Sequence, residues 1–240
     1  AMKMRLLGLL IALALLPSSA RAEVKPNAIC SDGMVLQQKS SAKIWGTAAK
    51  GETVSVEFRD AKSAVIAEAD GRWVVSIDTG AAGGPFVLTI TGNQSKQPHV
   101  FKNVLVGEVW VCSGQSNMQW TVNGCDKTDQ EYAKSAAPNV MLRMFTVKQA
   151  TPTQPQLDTS GSWVEAAPNT VGNFSATGYF FGRALQESLK VPVGIINTSV
   201  GGTRIEAWMS QSALEALGVK DNQPRGANTA SALYNGMVHP

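Results

Sequence analysis

The spacing of apolar residues changes once along this chain, near Val104. Before that point, short runs such as Thr53–Phe58 alternate apolar and polar residues, which is typical of half-buried strands. After it, residues 104–112 are almost continuously apolar, which indicates a strand covered on both faces in a parallel sheet. We therefore predict a small antiparallel β-sandwich over residues 23–104 and an α/β domain over residues 105–240.

Turn residues separate short β-rich runs in the first part. The strands predicted there are 43–45, 53–58, 73–77 and 86–90. Asp70-Gly71 predicts a tight hairpin before the third run, because Gly accepts the positive φ that such turns need. The second part is predicted to hold strands at 141–147 and 193–197, an amphipathic helix at 175–189 and a loop at 150–163.

Residues 1–22 have the features of a secretory signal peptide. Lys3 and Arg5 give a basic start, residues 6–16 are almost entirely apolar, and residues 20–22 fit a small-residue cleavage site. The apolar run is shorter than the ~20 residues that span a bilayer, so a membrane anchor is the less favoured alternative. We expect a secreted or periplasmic protein without a membrane partner after cleavage.

Charge and motif content argue against several kinds of partner. The chain has 21 Lys and Arg against 18 Asp and Glu, and three of the bases lie in the predicted leader, so the remainder is neutral. A neutral chain gives no support for nucleic-acid binding. Neither a phosphate-binding glycine loop nor a metal-ligand pattern occurs, so we expect no cofactor and no metal.

The segment that indicates chemistry is residues 111–118, with the sequence VCSGQSNM. A buried strand ends there, Gly114 permits a tight turn, and the turn exposes Ser116 at the start of the next element. A serine acts as a nucleophile only with a base and with donors for the oxyanion, and unpaired N–H groups at a helix start are such donors. Helix N-capping is the alternative role for Ser116.

Three cysteines, Cys30, Cys112 and Cys125, allow at most one disulfide bond within the chain. A bond between Cys112 and Cys125 would staple the Ser116 segment. Alternatively, Cys112 is a small buried apolar residue of its strand. The sequence leaves both possibilities open.

Six blocks in order resemble SGNH-hydrolase carbohydrate esterases, and among them the sialate O-acetylesterase family. The blocks are 32–37, 45–48 with 70–73, 107–118, 175–182 with 192–194, 201–208, and 233–237. The resemblance implies a small N-terminal β-sandwich followed by an incomplete flavodoxin-like three-layer α/β/α domain. It implies removal of O-acetyl groups from a carbohydrate substrate, sialic acid first and acetylated xylan second.

The resemblance also implies roles for three residues in the reaction. Ser116 would attack the acetyl carbonyl, and its backbone N–H would hold the oxyanion. A second N–H would come from the Gly201-Gly202 turn, with Gly202 favoured over Gly201. A plain turn is the alternative role of the two glycines.

Three further residues are candidates for substrate binding. Arg204 would meet a substrate carboxylate, Gln115 would contact the substrate, and Trp208 would stack on a sugar ring. A salt-bridged surface position is the alternative for Arg204, and core packing is the alternative for Trp208.

The family's Gly-Glu-Ser-Asn and Asp-x-x-His segments do not occur in this sequence. Its histidines are His99, which precedes the nucleophile, and His239, which has Gly236 instead of an aspartate three residues before it. A catalytic base needs an orienting partner. We therefore expect the chain to be the front portion of a longer enzyme, with negligible esterase activity by itself.

Two other functions remain open. In the first, the β-part is a non-catalytic glycan-binding module beside a vestigial α/β part. In the second, the protein is a lipid esterase of the same superfamily, although no apolar lid-like segment lies near Ser116.

Overall fold

The computed structural model describes residues 23–95, 97–220 and 223–240. The predicted signal peptide, residues 1–22, lies outside the described residues. Within the described ranges, no helix combines the length and the apolar character needed to cross a membrane.

The described residues form eleven strands. In chain order they are β1 Lys25–Pro26, β2 Val35–Gln37, β3 Ser41–Thr47, β4 Thr53–Phe58, β5 Ala61–Ile66, β6 Arg72–Asp78, β7 Gly83–Gly92, β8 His99–Gly114, β9 Asn139–Thr146, β10 Trp163–Ala166 and β11 Val193–Ser199. One sheet has the order β1-β3-β6. The larger sheet has the order β10-β9-β11-β8-β7-β4-β5, and β2 also pairs with β8. The mixed α/β fold that the sequence predicts is confirmed.

Strand β8 is 16 residues long and belongs to both parts of the molecule. Its first half pairs antiparallel with β7, and its second half pairs parallel with β11, from Glu108 opposite Val193 to Gly114 opposite Ser199. The predicted boundary between residues 104 and 105 falls inside this strand. The two parts therefore share a strand.

Alternating burial builds the core of the β-part. Every second residue of β6 is buried, including Trp73, which is 1% exposed. Trp73 belongs to one apolar cluster with Ile44 of β3 and Phe58 of β4, and that cluster continues to Phe145 and Ile196 of the parallel strands β9 and β11. The apolar core is therefore continuous between the two parts.

The predicted hairpin at Asp70-Gly71 is wrong, although the turn itself exists. Gly71 has a φ of +85°, as the turn requires. The strand before the turn, β5, pairs with β4, and the strand after it, β6, pairs with β3. The turn thus carries the chain from one sheet to the other. The hairpin that forms instead joins β4 to β5 through Arg59, which has a φ of +53°. Because this position is not a glycine, the sequence gives no signal for the turn.

Four α-helices lie among the described residues, together with short 3₁₀ turns and one π-turn. They are α1 Ser116–Gln119, α2 Lys127–Ser135, α3 Ala176–Leu189 and α4 Gln211–Ala216. Helix α3 confirms the predicted helix. Its N-cap is Ser175, whose Oγ accepts the Gly178 N–H with 3.0 Å from N to O.

Helix α3 packs closely on one face of the parallel strands because it has a glycine at the contact. A Cβ on Gly182 would come within 2.6 Å of Ile195 Cγ1 in β11. On the opposite face, Val35 and Leu233 belong to the same cluster as Ile196. Strand β11 is consequently buried along its whole length, and its carboxyl end has a fixed position.

Candidate active site

Ser116 lies where two neighbouring parallel strands end. Strand β8 ends at Gly114 and β11 ends at Ser199, and these two residues are register partners. The pairing extends one residue further, because the Val200 N–H donates to the Gly114 carbonyl with 3.1 Å between N and O. Carboxyl ends of parallel strands share one edge of a sheet, so the loops after β8 and β11 converge there.

Glycines allow the two loops to approach each other. Gly114 has a φ of +148°, and the chain leaves the strand there. Gly201 packs against the serine, since a Cβ on it would lie 3.6 Å from Ser116 Cα and 2.8 Å from Gln119 Oε1. A Cβ at position 201 would therefore displace the Gln119 amide, whereas its distance to Ser116 Cα would be an ordinary van der Waals contact.

Ser116 is exposed and is the first residue of α1, whose N-cap is Gln115. N-capping as the role of Ser116 is therefore wrong. The Gln115 Oε1 atom accepts the Ser116 N–H with 3.0 Å from N to O. The same atom lies 2.9 Å from Ser116 Oγ.

The two glycine N–H groups of the loop after β11 have different acceptors. The Gly202 N–H donates to Gln115 Oε1 with 3.3 Å from N to O. The Gly201 N–H donates to Gln119 Oε1 with 2.7 Å from N to O. The Gly202 N–H therefore shares its acceptor with the Ser116 donors, whereas the Gly201 N–H does not.

Asn228 holds the Gly202 peptide in this orientation. Its Nδ2 donates to the Gly202 carbonyl at 3.0 Å, and its Oδ1 accepts the Arg204 N–H at 2.8 Å. Thr203 Oγ1 donates to the Val200 carbonyl at 2.6 Å in the same loop. Sequence reasoning missed Asn228 because its partners are distant in sequence and no local pattern marks it.

An open depression with a volume of about 540 Å³ adjoins Gln115. Its lining is formed by Gln115, Gly202, Thr203, Arg204, Arg225 and Asn228. The charged residues in this lining are both arginines. Arg204 Nε donates to the Asn228 carbonyl at 3.2 Å and lies 3.8 Å from Glu206 Oε2, so the ion-paired alternative for this residue is observed.

Trp208 is half-buried and packs against the main apolar cluster. Its Nε1–H donates to Thr203 Oγ1 with 3.0 Å from N to O. The structure therefore places this indole beneath the loop after β11, which agrees with the core-packing alternative.

Both histidines are bound to backbone carbonyls elsewhere in the molecule. His99 Nε2 lies 2.7 Å from the Val24 carbonyl in the β-part, and His239 Nδ1 lies 3.0 Å from the Gln156 carbonyl. Among the residues that the structure describes, neither imidazole hydrogen-bonds to Ser116.

All three cysteines are free thiols, so the possible bond between Cys112 and Cys125 is not formed. Cys112 is instead a buried residue of β8, as the apolar alternative predicts. Burial raises the pKa of Cys30 to about 12. Elsewhere in the described part of the chain, no three His, Cys, Asp or Glu side chains come together as a metal site.

Comparison with known proteins places the chain in a family. A family model described as "Carbohydrate esterase, sialic acid-specific acetylesterase" matches residues 106–239. The sialate O-acetylesterase of Homo sapiens is 32% identical over 233 residues, which cover 88% of this chain and 44% of that protein. The Rattus norvegicus sialate O-acetylesterase is 32% identical over 260 residues, which cover 86% of this chain and 47% of that protein.

A solved structure is similar over the same extent. A carbohydrate acetylesterase from Xanthomonas citri superposes with a TM-score of 0.79 at 35% identity, covering 90% of this chain and 48% of that one. The chain thus spans about half the length of the relatives that it matches. On the family match over residues 106–239, the chain belongs to the sialic acid-specific acetylesterase family of carbohydrate esterases.

Proposed function

We propose that the protein removes O-acetyl groups from carbohydrates and that Ser116 is its nucleophile. The observation that carries this proposal is the convergence of Ser116 Oγ with the N–H groups of Ser116 and Gly202 on one point at the edge of the parallel strands. An acetyl carbonyl oxygen accepts hydrogen bonds of the same kind. Donors aimed at a developing oxyanion supply a large part of the catalysis of acyl transfer.

The chemistry runs in two halves. Ser116 Oγ forms a bond to the acetyl carbonyl carbon while its proton passes to a base. The bond from that carbon to the sugar oxygen then breaks, and the sugar oxygen takes the proton from the base and leaves as a hydroxyl group. Water hydrolyses the acetyl-serine and releases acetate, while the Ser116 and Gly202 N–H groups hold the carbonyl oxygen in both halves.

We propose that the base comes from chain beyond these 240 residues, in an Asp-x-x-His segment. A serine hydroxyl is a weak nucleophile without an adjacent base. His99 and His239 are bonded to carbonyls away from Ser116, and the relatives are about twice as long. The 240-residue chain alone is then expected to release acetate at a negligible rate.

The preferred substrate in this proposal is an O-acetylated sialic acid. The relatives from human and rat are named sialate O-acetylesterases, and Arg204 and Arg225 give the depression beside Gln115 the charge that a sugar carboxylate requires. Acetylated xylan is the second candidate, because the Xanthomonas citri relative is named only as a carbohydrate acetylesterase.

The test is acetate release from O-acetyl sialic acid and from acetylated xylan by the complete product of the gene and by the 240-residue chain. We expect the complete product to prefer sialic acid, and Ser116→Ala to lower its rate by about three orders of magnitude or more. Ser113→Ala is the matched control, since Ser113 is also an exposed serine of this segment. Full activity in the Ser116→Ala protein would contradict the proposal.

We also propose that the protein is exported and cleaved after Ala22. The basic start, apolar run and small-residue site of residues 1–22 support this proposal. The measurement is the N-terminal sequence of the protein recovered outside the cytoplasm, which is expected to begin at Glu23. A mature protein that retains the leader would contradict it.

A further inference from the structure

The point where an acyl oxygen would bind is already occupied by a side chain of the protein. Gln115 Oε1 lies 3.0 Å from Ser116 N, 2.9 Å from Ser116 Oγ and 3.3 Å from Gly202 N. Two of these partners are backbone N–H groups, which can only donate, so the Gln115 amide must present its oxygen to them. The Ser116 hydroxyl must then donate to that oxygen as well.

We propose that the Gln115 side chain is a plug that occupies the acyl-oxygen position in the resting site and that an acetyl group must displace it. This inference rests on the proposed function, because it assigns the same donors to the substrate. The amide carbonyl of Gln115 resembles an ester carbonyl in geometry and in hydrogen-bonding capacity. It therefore competes directly with the substrate for the N–H groups of Ser116 and Gly202.

Displacement of the plug has a second consequence for Ser116. While the Ser116 hydroxyl donates to Gln115, its proton cannot also be donated to a base. When Gln115 leaves, the hydroxyl is released and the two backbone N–H groups become available together. One side-chain rotation thus opens the oxyanion position and frees the nucleophile.

The surroundings allow Gln115 to move. Its side chain is exposed and lines the open depression of about 540 Å³, so it can rotate into that space. Gln119 has a different position. It accepts the N–H of Gly201 at 2.7 Å, and Gly201 packs against the Ser116 backbone. Gln119 therefore joins the two loops, whereas Gln115 fills the space between their donors.

The plug lowers the apparent affinity for every acyl-oxygen ligand. When only a fraction of molecules is competent to bind, the apparent dissociation constant rises by the inverse of that fraction. Removing the Gln115 amide is expected to strengthen binding by about three- to tenfold, the factor that corresponds to the net stabilisation of an ordinary intramolecular hydrogen bond.

The experiment is an acetate titration of the 240-residue chain, followed by the backbone amide NMR signals of Ser116 and Gly202. Acetate is the product of the proposed reaction, and its binding needs no catalytic base. The variants are Gln115→Ala, which removes the plug, and Gln115→Glu, which keeps its shape and adds charge. Gln211→Ala is the control, since Gln211 bonds to Glu215 within α4.

We expect the Gln115→Ala protein to bind acetate about three- to tenfold more tightly than the unchanged chain. We expect Gln115→Glu to bind it more weakly, because a carboxylate accepts stronger hydrogen bonds from the same N–H groups and repels the anion. The control should match the unchanged chain.

The titration distinguishes failure of the plug proposal from failure of the proposed function. Equal acetate affinity in all proteins, with shifts at both amides, would overturn the plug and leave the oxyanion donors of Ser116 and Gly202 intact. If acetate shifted the Ser116 and Gly202 signals in none of the proteins, both the oxyanion donors and the plug would be overturned.

Discussion

The β-part and the α/β part use polar side chains at their turns in different ways. In the β-part, Asn93 Oδ1 accepts the Thr53 N–H at the ends of two paired strands, and the Asp70 carboxylate accepts the N–H of Arg72 two residues on. In the α/β part, Gln115 and Asn228 connect loops that are far apart in sequence. In the β-part these bonds close a turn and join the ends of two paired strands. In the α/β part they meet at the Gly202 peptide, beside Ser116.

The largest expected effect is a loss of stability when the apolar core of the β-part is disrupted. Replacing Trp73 with Ala is expected to lower the free energy of unfolding by about 3–5 kcal/mol, because a buried aromatic side chain is lost and a cavity remains. The free energy of unfolding is measured by urea titration, with circular dichroism as the signal. Because β8 and the main apolar cluster belong to both parts, we expect one transition.

Trp120→Ala is the control for that measurement, since this side chain in the α/β part is 59% exposed and should cost less than about 1 kcal/mol. Two separate transitions, with Trp73→Ala shifting only one of them, would show that the parts unfold independently despite the shared strand.

A smaller effect is expected on kcat, and it distinguishes Asn228 in the α/β part from Asn93 in the β-part. Asn228→Ala removes the bonds that orient the Gly202 peptide, so we expect kcat for acetyl ester hydrolysis by the complete gene product to fall about tenfold with little change in KM. Asn93→Ala removes a comparable bond in the β-part, and we expect stability to fall by about 1 kcal/mol with kcat unchanged. Equal loss of kcat in both variants would remove the distinction between the two parts.

The sequence predicts the elements whose residue pattern is visible over several residues and misses the short or polar ones. Strands β3, β4, β6 and β7 are predictable because their alternation is visible over several residues. Strands β1 and β2 have two and three residues, too few for any period to show. Helix α2 is polar along most of its length and buries only Ala133, so no apolar stripe marks it.

The site is predictable only in part. Ser116 and the Gly201-Gly202 turn stand out by the resemblance of their segments to a family. Asn228 and the hydrogen bonds of Gln115 could not be predicted, because a tertiary contact between an amide side chain and a distant peptide leaves no periodic trace in the sequence. The register of β8 with β11 is what brings these groups together.

The smallest expected effect concerns the thiols of the two parts. Burial raises the pKa of Cys30 to about 12, so this thiol stays protonated and unreactive at neutral and mildly alkaline pH. Burial, followed by Asp129 and Asp126, also raises the pKa of Cys125, but Cys125 is only partly covered. A disulfide reagent at pH 8 should therefore label Cys125 first, at a rate that rises with pH.

Mass spectrometry of the labelled peptides measures this order, and labelling in denaturant gives the reference rates. Labelling of Cys30 in the native chain as fast as that of Cys125 would contradict the burial of Cys30 in the β-part.

The most direct test of the central claim is to trap the acyl-enzyme. The complete gene product would be mixed with an aryl acetate, quenched in acid within the first turnover, and digested for peptide mass spectrometry. We predict an acetyl group on Ser116. Turnover with the acetyl group on another residue, or with Ser116 never acetylated, would contradict the assignment of this serine as the nucleophile.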